Sequence, residues 1–381
     1  MKNNLFNWAT GELSQDAFIC WLMSYAMKDS QKDDALKACA QEFLRLTVPQ
    51  LKDKDISVNK IECQVAVKND VKRGSIDILL TVNNIYKIII EDKTYTSEHD
   101  NQLQFYKDAI TAKYPEYIVA GIYYKTGFQS DYTEVKREEY CQFGLAKIVA
   151  LLKNYVDNTD NMIFKNYYEY LNDLQEKSGQ FKTLPLKDWD WQQAFGFFSC
   201  LKTQLALKFD NGKPKLDVKK SEEQESILEK YGFEADFDYV YNQSGGFYAM
   251  WISKKCNYVY SKENEQIKYE IYLMMQFMNN EMNICLKLGI KEIGETGKLT
   301  PSDIRNKLVY NDKWKYKLTE YNYDKPARLS YGKDMTIGIY AKNGKYEDYK
   351  QIITDLQAAM QGFDKLTEEI CIGEKYAERQ G

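Results

Sequence analysis

Gly74-Ser75-Ile76-Asp77-Ile78-Leu79-Leu80 and Ile88-Ile89-Ile90-Glu91-Asp92-Lys93 are the two stretches on which the fold turns. Residues 75–82 and 85–93 read as adjacent strands, and Asn83-Asn84 as the tight turn that joins them. Each apolar run is interrupted or ended by an acid. On the second strand the side-chain period of two puts Glu91 and Lys93 on one face and turns Asp92 to the other. A hairpin at Asn83-Asn84 then brings Asp77 alongside the same end of the sheet.

A charge this close to an apolar core is costly unless it is paired or bound to metal. Two carboxylates supply the hard oxygen donors that suit Mg²⁺ or Mn²⁺. Such a cation acidifies a bound water, and a neighbouring lysine positions that water or offsets charge developing at phosphorus. Phosphodiester hydrolysis needs little more from a protein. The acid-x-lysine triplet alone carries no specificity, since Asp70-Val71-Lys72, Glu134-Val135-Lys136, Asp217-Val218-Lys219 and Asp348-Tyr349-Lys350 repeat it. Only the strand context sets Glu91-Asp92-Lys93 apart. A plain salt bridge at a strand end, with Lys93 satisfying Glu91, explains the same residues without a metal.

Around this hairpin, Phe18, Trp21, Leu22 and Tyr25 recur at helical spacing and predict a helix over 14–27. A second is predicted over 32–46, stopped by Pro49. Ile61, Cys63, Val65 and Val67 alternate with polar residues as one half-buried strand face. A helix from near Ser97, a buried strand over 117–124, and helices over 142–156 and 161–177 complete an α/β core with a mixed sheet. Residues 177–185 read as a linker, dividing a domain at 1–180 from an α+β accessory domain at 185–381. The latter is predicted to hold a helix over 189–208, strands over 246–253, 256–260, 267–278, 282–289 and 334–341, and a last helix over 347–377. It reads as a binder of substrate or of a partner.

Composition narrows the chemistry. The only histidine of the chain is His99, which excludes catalytic centres that need two. The eight cysteines form no CxxC pair, so a zinc site has no support. Scattered cysteines, no export signal and no apolar run of eighteen residues predict a cytoplasmic chain that spans no membrane. The net charge of −4 argues against a long non-specific duplex clamp more than against a compact cleft. Among the 31 tyrosines, Tyr258, Tyr260, Tyr269 and Tyr272, with Trp251, fall on strands of the second half. They suit base stacking, but a packed sheet is the favoured reading.

The strand pair resembles the PD-(D/E)xK nuclease superfamily, the restriction-endonuclease-like fold, with Ile76 at the nominal proline. The resemblance covers about residues 8–125, extending at most to 178. It implies that Asp77, Glu91 and Lys93 are the catalytic centre and that Asp77 and Glu91 ligate the metal. The family commonly adds a glutamate from its first core helix. Glu12, in Glu12-Leu13-Ser14-Gln15-Asp16-Ala17-Phe18, is the candidate, with Glu42 as the alternative. Gln102-Leu103-Gln104-Phe105-Tyr106 is similar to the QxxxY helix of RecB-like members. Gln102 and Tyr106, four apart, share a helix face.

The resemblance therefore implies a metal-dependent nuclease using Mg²⁺ or Mn²⁺, acting on nucleic acid with DNA the expected substrate. Phage defence or DNA processing is the expected setting, and a homodimer is an expected state where two strands are cut. The competing expectation is a catalytically silent nuclease fold that serves as a binding or scaffold module.

Overall fold

The computed structural model describes residues 3–376 except 31, 70–71, 95, 99–100, 204, 211–212, 219–226, 242–245, 263–264, 295–298, 310–311, 327–331, 341–343 and 372. His99 lies outside the described residues. The chain forms two compact units, Met1–Glu176 and Lys177–Gly381.

The first unit runs α1 (Glu12–Ser24), α2 (Asp34–Thr47), β1 (Val58–Lys68), β2 (Arg73–Val82), β3 (Tyr86–Lys93), α3 (Gln102–Lys113), β4 (Ile118–Lys125), α4 (Thr133–Arg137), β5 (Tyr140–Gly144), α5 (Leu145–Lys153) and α6 (Met162–Gly179). Its sheet has the order β1-β2-β3-β4-β5. The first two pairings are antiparallel and the last two parallel, so the sheet is mixed, with helices on its flanks. Asn83 and Asn84 both take φ 53, the left-handed geometry that asparagine tolerates in a tight hairpin. β3 is buried along its whole length, as expected of a central strand covered on both faces.

One layer against the sheet joins Phe18, Ile19, Leu22 and Met23 of α1 to Phe43 and Leu44 of α2, Leu151 of α5 and Tyr167 of α6. The opposite layer joins Leu103, Phe105, Tyr106 and Ile110 of α3 to Ile76, Leu79, Ile89 and Tyr123. Phe18 stacks on Tyr167 with ring centroids 3.7 Å apart, which helps to fix α1 over the sheet.

Strand alternation is not continuous. Ile78, Leu80 and Val82 face the α1 layer, whereas Ile76 faces the α3 layer. β1 does the same: Ile61 packs on the α1 side, Val65 and Val67 on the α3 side. The single face predicted for Ile61, Cys63, Val65 and Val67 is therefore divided. The reversal falls at Gln64 and Asp77, bracketed by the pairs Cys63↔Ile78 and Val65↔Ile76. Gln64 has φ 50, which turns the strand over at that point.

The helix predicted over 142–156 is instead β5 followed by α5. Tyr140 and Phe143 are buried as β5 pairs with β4, a five-residue strand too short to show a period. The predicted linker is also packed. Phe181 and Leu186 are buried in short 3₁₀ turns, and Phe181 meets Trp189, Phe197 and Tyr349.

The second unit continues with α7 (Trp191–Thr203), β6 (Leu205–Asp210), β7 (Lys213–Val218), α8 (Ile227–Lys230), β8 (Glu234–Val240), β9 (Phe247–Lys262), β10 (Glu265–Met278), β11 (Glu281–Ile293), α9 (Pro301–Val309), α10 (Asp312–Glu320), β12 (Tyr323–Asp324), β13 (Asp334–Tyr340), α11 (Tyr349–Ile370) and β14 (Glu374–Tyr376). An antiparallel sheet in the order β12-β13-β11-β10-β9-β14, with β8 also on β9, is its centre. The two strands predicted over 246–260 are one, and the last helix ends at Ile370. Tyr258, Tyr269 and Tyr272 are buried, with Tyr258 stacked on Tyr269, so these three serve packing. No helix among the described residues is long and apolar enough to cross a membrane.

Candidate active site

The β2–β3 ladder ends at Ile78↔Ile90. Beyond it, the backbone N–H of Asp92 donates to Asp77 Oδ2 at 3.0 Å. Asp77 thus takes over the partner role of a strand carbonyl and is held at the open end of the hairpin, away from its turn. Glu91 and Lys93, one strand period apart, form an ion pair of 2.6 Å between Oε1 and Nζ. Glu91 is fully buried, and its Oε2 has no hydrogen-bond partner. Asp92 points the other way, where Gln15 of α1 donates to both of its oxygens at 2.9 and 3.2 Å.

α1 lays a second set of groups over the same strand end. Glu12 Oε1 accepts from the Thr94 N–H and from Thr96 Oγ1, both at 2.9 Å. Gln15 Nε2 donates to Thr94 Oγ1 at 2.7 Å as well. Asp16, one turn after Glu12, is buried with Oδ1 unpartnered, while its Oδ2 accepts from Gln64 Nε2 at 3.0 Å. The same Gln64 nitrogen reaches Asp77 Oδ1 at 3.3 Å. Lys125 of β4 closes the strand exit by donating to the carbonyls of Thr94 and Thr96.

Electrostatics follow from this crowding. Burial first, and then repulsion from Asp77, pushes Glu91 up to about 8 despite Lys93. Burial and Asp77 push Asp16 up to about 7. Asp77 is raised by burial, against which the Asp92 N–H and Lys93 work. Burial alone would lower Lys93, but Glu91, Asp77 and Glu12 outweigh it and hold the ammonium charged. A concentration of acids raised by burial and by one another is characteristic of functional sites.

On the α3 side, Gln102 Nε2 donates to Tyr106 Oη at 2.9 Å, and that hydroxyl donates to the Ser75 carbonyl at 2.8 Å. Gln102 Oε1 is buried without a partner. The Tyr106 ring lies so close to β2 that a Cβ at Gly74 would stand 2.8 Å from its Cε1, which only glycine avoids. Gln104 bonds Asp108 along the helix instead. Glu42 pairs with Arg45 on α2 and has no bond to these groups.

Residues 3–183 match the family model of the PD-(D/E)XK nuclease superfamily. The match takes in the N-terminal unit, which is similar to members of that superfamily. No curated protein and no solved structure matches it. Members of the superfamily are usually nucleases that use divalent metals.

The donor chemistry here fits such a metal. Asp16 Oδ1 and Glu91 Oε2 are buried carboxylate oxygens without partners, beside Asp77. A buried unpartnered oxygen costs about 1–3 kcal/mol, more when charged, and a hard cation would satisfy it. Among the described residues no three potential ligands already enclose a common point. Glu91 is engaged by Lys93 instead.

The strand alternation led to Asp77, Glu91 and Lys93, but Asp16 and Gln64 were not anticipated. Asp16 did carry a signal. It lies four residues after Glu12, and like charges at that spacing repel unless something between them is positive. Gln64 carried none, because nothing in its neighbours marks a left-handed residue.

Proposed function

We propose that the N-terminal unit is a divalent-cation-dependent nuclease that hydrolyses phosphodiester bonds, with DNA as substrate and Mg²⁺ or Mn²⁺ as cation. Asp77 and Glu91 would ligate the ion, and Asp16 would be the α1 carboxylate that completes the set. The observation that carries this reading is the pair of buried, unpartnered oxygens on Glu91 and Asp16 flanking Asp77. A bound cation supplies a water of lowered pKa and positive charge for the phosphate. Lys93 is the group that positions that water and offsets the charge building on phosphorus. Glu12 acts by anchoring the strand exit at Thr94 and Thr96. Gln102 offers its free Oε1, and Tyr106 holds Gln102 in place.

The second unit would bind substrate or a partner, the chain would work in the cytoplasm, and a homodimer would suit double-strand cleavage. Phage defence and DNA processing are settings that match such an enzyme.

The test is cleavage of single- and double-stranded DNA and RNA by the purified full chain, with Mg²⁺ or with EDTA, next to Asp77→Asn and Lys93→Met. Mg²⁺-dependent cleavage of DNA, lost in both variants, is the expected result. Equal cleavage by all three proteins overturns the assignment. No cleavage, together with no Mn²⁺ binding by calorimetry, favours a silent scaffold, a reading the Glu91–Lys93 ion pair also permits.

A further inference from the structure

Cys20 of α1 and Cys63 of β1, 43 residues apart in sequence, place their sulfurs 3.0 Å from each other. Both are free thiols. Cys63 is exposed and Cys20 half-buried behind it. The pair lies next to the carboxylates. Cys20 follows Asp16 by four residues, so the two share a face of α1. Cys63 immediately precedes Gln64, the left-handed residue whose amide bonds Asp16 and Asp77.

We propose that Cys20 and Cys63 are an oxidation-sensitive thiol pair that closes into a disulfide, fastening α1 to β1 beside the acidic site. The oxidant class is a hydroperoxide. An accessible thiol with a second thiol poised behind it is the arrangement that captures a sulfenic acid as a disulfide. The Cys63 thiolate attacks one peroxide oxygen, the O–O bond breaks, and hydroxide leaves, giving a sulfenic acid at Cys63. Cys20 sulfur then attacks the Cys63 sulfur. The S–S bond forms, the S–O bond breaks, and the departing hydroxide takes the Cys20 proton as water. The two thiols lose two electrons together, and hydrogen peroxide is reduced to two waters. Cys63 is exposed and Cys20 is half-buried, so Cys63 is the thiol that a peroxide reaches first. Drawing the sulfurs from 3.0 Å to a bond of about 2 Å tightens α1 on β1 at the Asp16–Gln64 contact.

The experiment treats the full chain with hydrogen peroxide, blocks remaining thiols, and maps disulfide peptides by mass spectrometry without reduction. The expected result is a linked pair of peptides containing Cys20 and Cys63, reversed by dithiothreitol, with a thermal midpoint higher than that of the reduced chain. In Cys20→Ser, Cys63 should instead accumulate as a sulfenic acid trapped by dimedone, and in Cys63→Ser neither product should form at Cys20. Peroxide that leaves both thiols free, or that joins either to another cysteine, overturns the proposal. The coupling to the site rests on the proposed cation-binding role, and Mn²⁺ calorimetry on the reduced and oxidised chains reads it separately. Oxidation is expected to shift the Mn²⁺ affinity about fivefold or more. An unchanged affinity in a mapped, oxidised chain overturns that coupling, while an absent Mn²⁺ signal in the reduced chain points to failure of the metal reading instead.

Discussion

Gln64 and Asp77 stand opposite each other on β1 and β2 at a register position where the ladder between the strands is interrupted, joined only by a side-chain bond of 3.3 Å. The sheet reverses its faces there, and the left-handed backbone of Gln64 is what allows it. A non-glycine residue in that conformation costs about 1–2 kcal/mol. Gln64→Ala keeps the strain and loses the bonds to Asp16 and Asp77, whereas Gln64→Gly loses the bonds but relieves the strain. Urea unfolding should therefore find Gln64→Gly more stable than Gln64→Ala by about 1 kcal/mol. The reverse order would show that this turn is not left-handed in solution.

Asp77 has two tasks that substitution can separate. Its carboxylate accepts the Asp92 N–H, and its charge belongs to the proposed cation site. Asp77→Asn keeps a carbonyl oxygen for the N–H, so its stability should stay within about 1 kcal/mol of the parent. Asp77→Ala leaves a buried N–H unpaired and should lose about 1–3 kcal/mol. Both should lose Mg²⁺-dependent cleavage, and Lys93→Met should lower its rate by about 10²–10³-fold, the usual loss for a group that stabilises developing charge. Equal stability of the two Asp77 variants in chemical denaturation would refute the strand-end role.

What the sequence disclosed, and what it hid, divides along physical lines. Asp77, Glu91 and Lys93 were legible because strand alternation is local and because charges at the end of an apolar run are costly. The opposite orientation of Asp92 follows from the same period of two. β5 was hidden, since five residues do not establish a period and its pairing with β4 is non-local. Gln64 was hidden because its backbone angle answers to the sheet reversal, a tertiary demand. Glu12 and Asp16 show the limit for sites. Both lie on one helix face, and only the packing of α1 over the strand exit decides that Glu12 Oε1 accepts from Thr94 and Thr96 while Asp16 buries an unpartnered Oδ1.

That division gives a direct ranking of the three helix acids. In Mn²⁺ calorimetry, Asp16→Asn should weaken binding about tenfold or more, because it removes a proposed ligand charge. Glu12→Gln keeps an acceptor for Thr94 and Thr96 and should weaken it less. Glu42→Gln, in a residue paired with Arg45, should leave binding unchanged. A larger loss in Glu12→Gln than in Asp16→Asn would return the ligand role to Glu12.

The metal-free chain should also report its acids through pH. Glu91 rises from 4.5 to about 8 and Asp16 from 3.8 to about 7, in both cases chiefly by burial. The folded state therefore holds protons that the unfolded state has released across this interval. Stability then falls as pH increases, because the unfolded chain binds fewer protons than the native one. Lys125, lowered from 10.5 to about 8 by burial, acts in the opposite sense, but only above about pH 8. In EDTA, the thermal midpoint should thus decline steadily between about pH 5 and pH 8, a slope that Glu91→Gln with Asp16→Asn should flatten. Saturating Mn²⁺ should raise the midpoint most at the alkaline end, where the ligands no longer have to release protons to bind it. A midpoint in EDTA that climbs from pH 5 to pH 8 would mean that these carboxylates are ionised in the folded protein, held by Lys93 and the Gln64 amide without a metal ion.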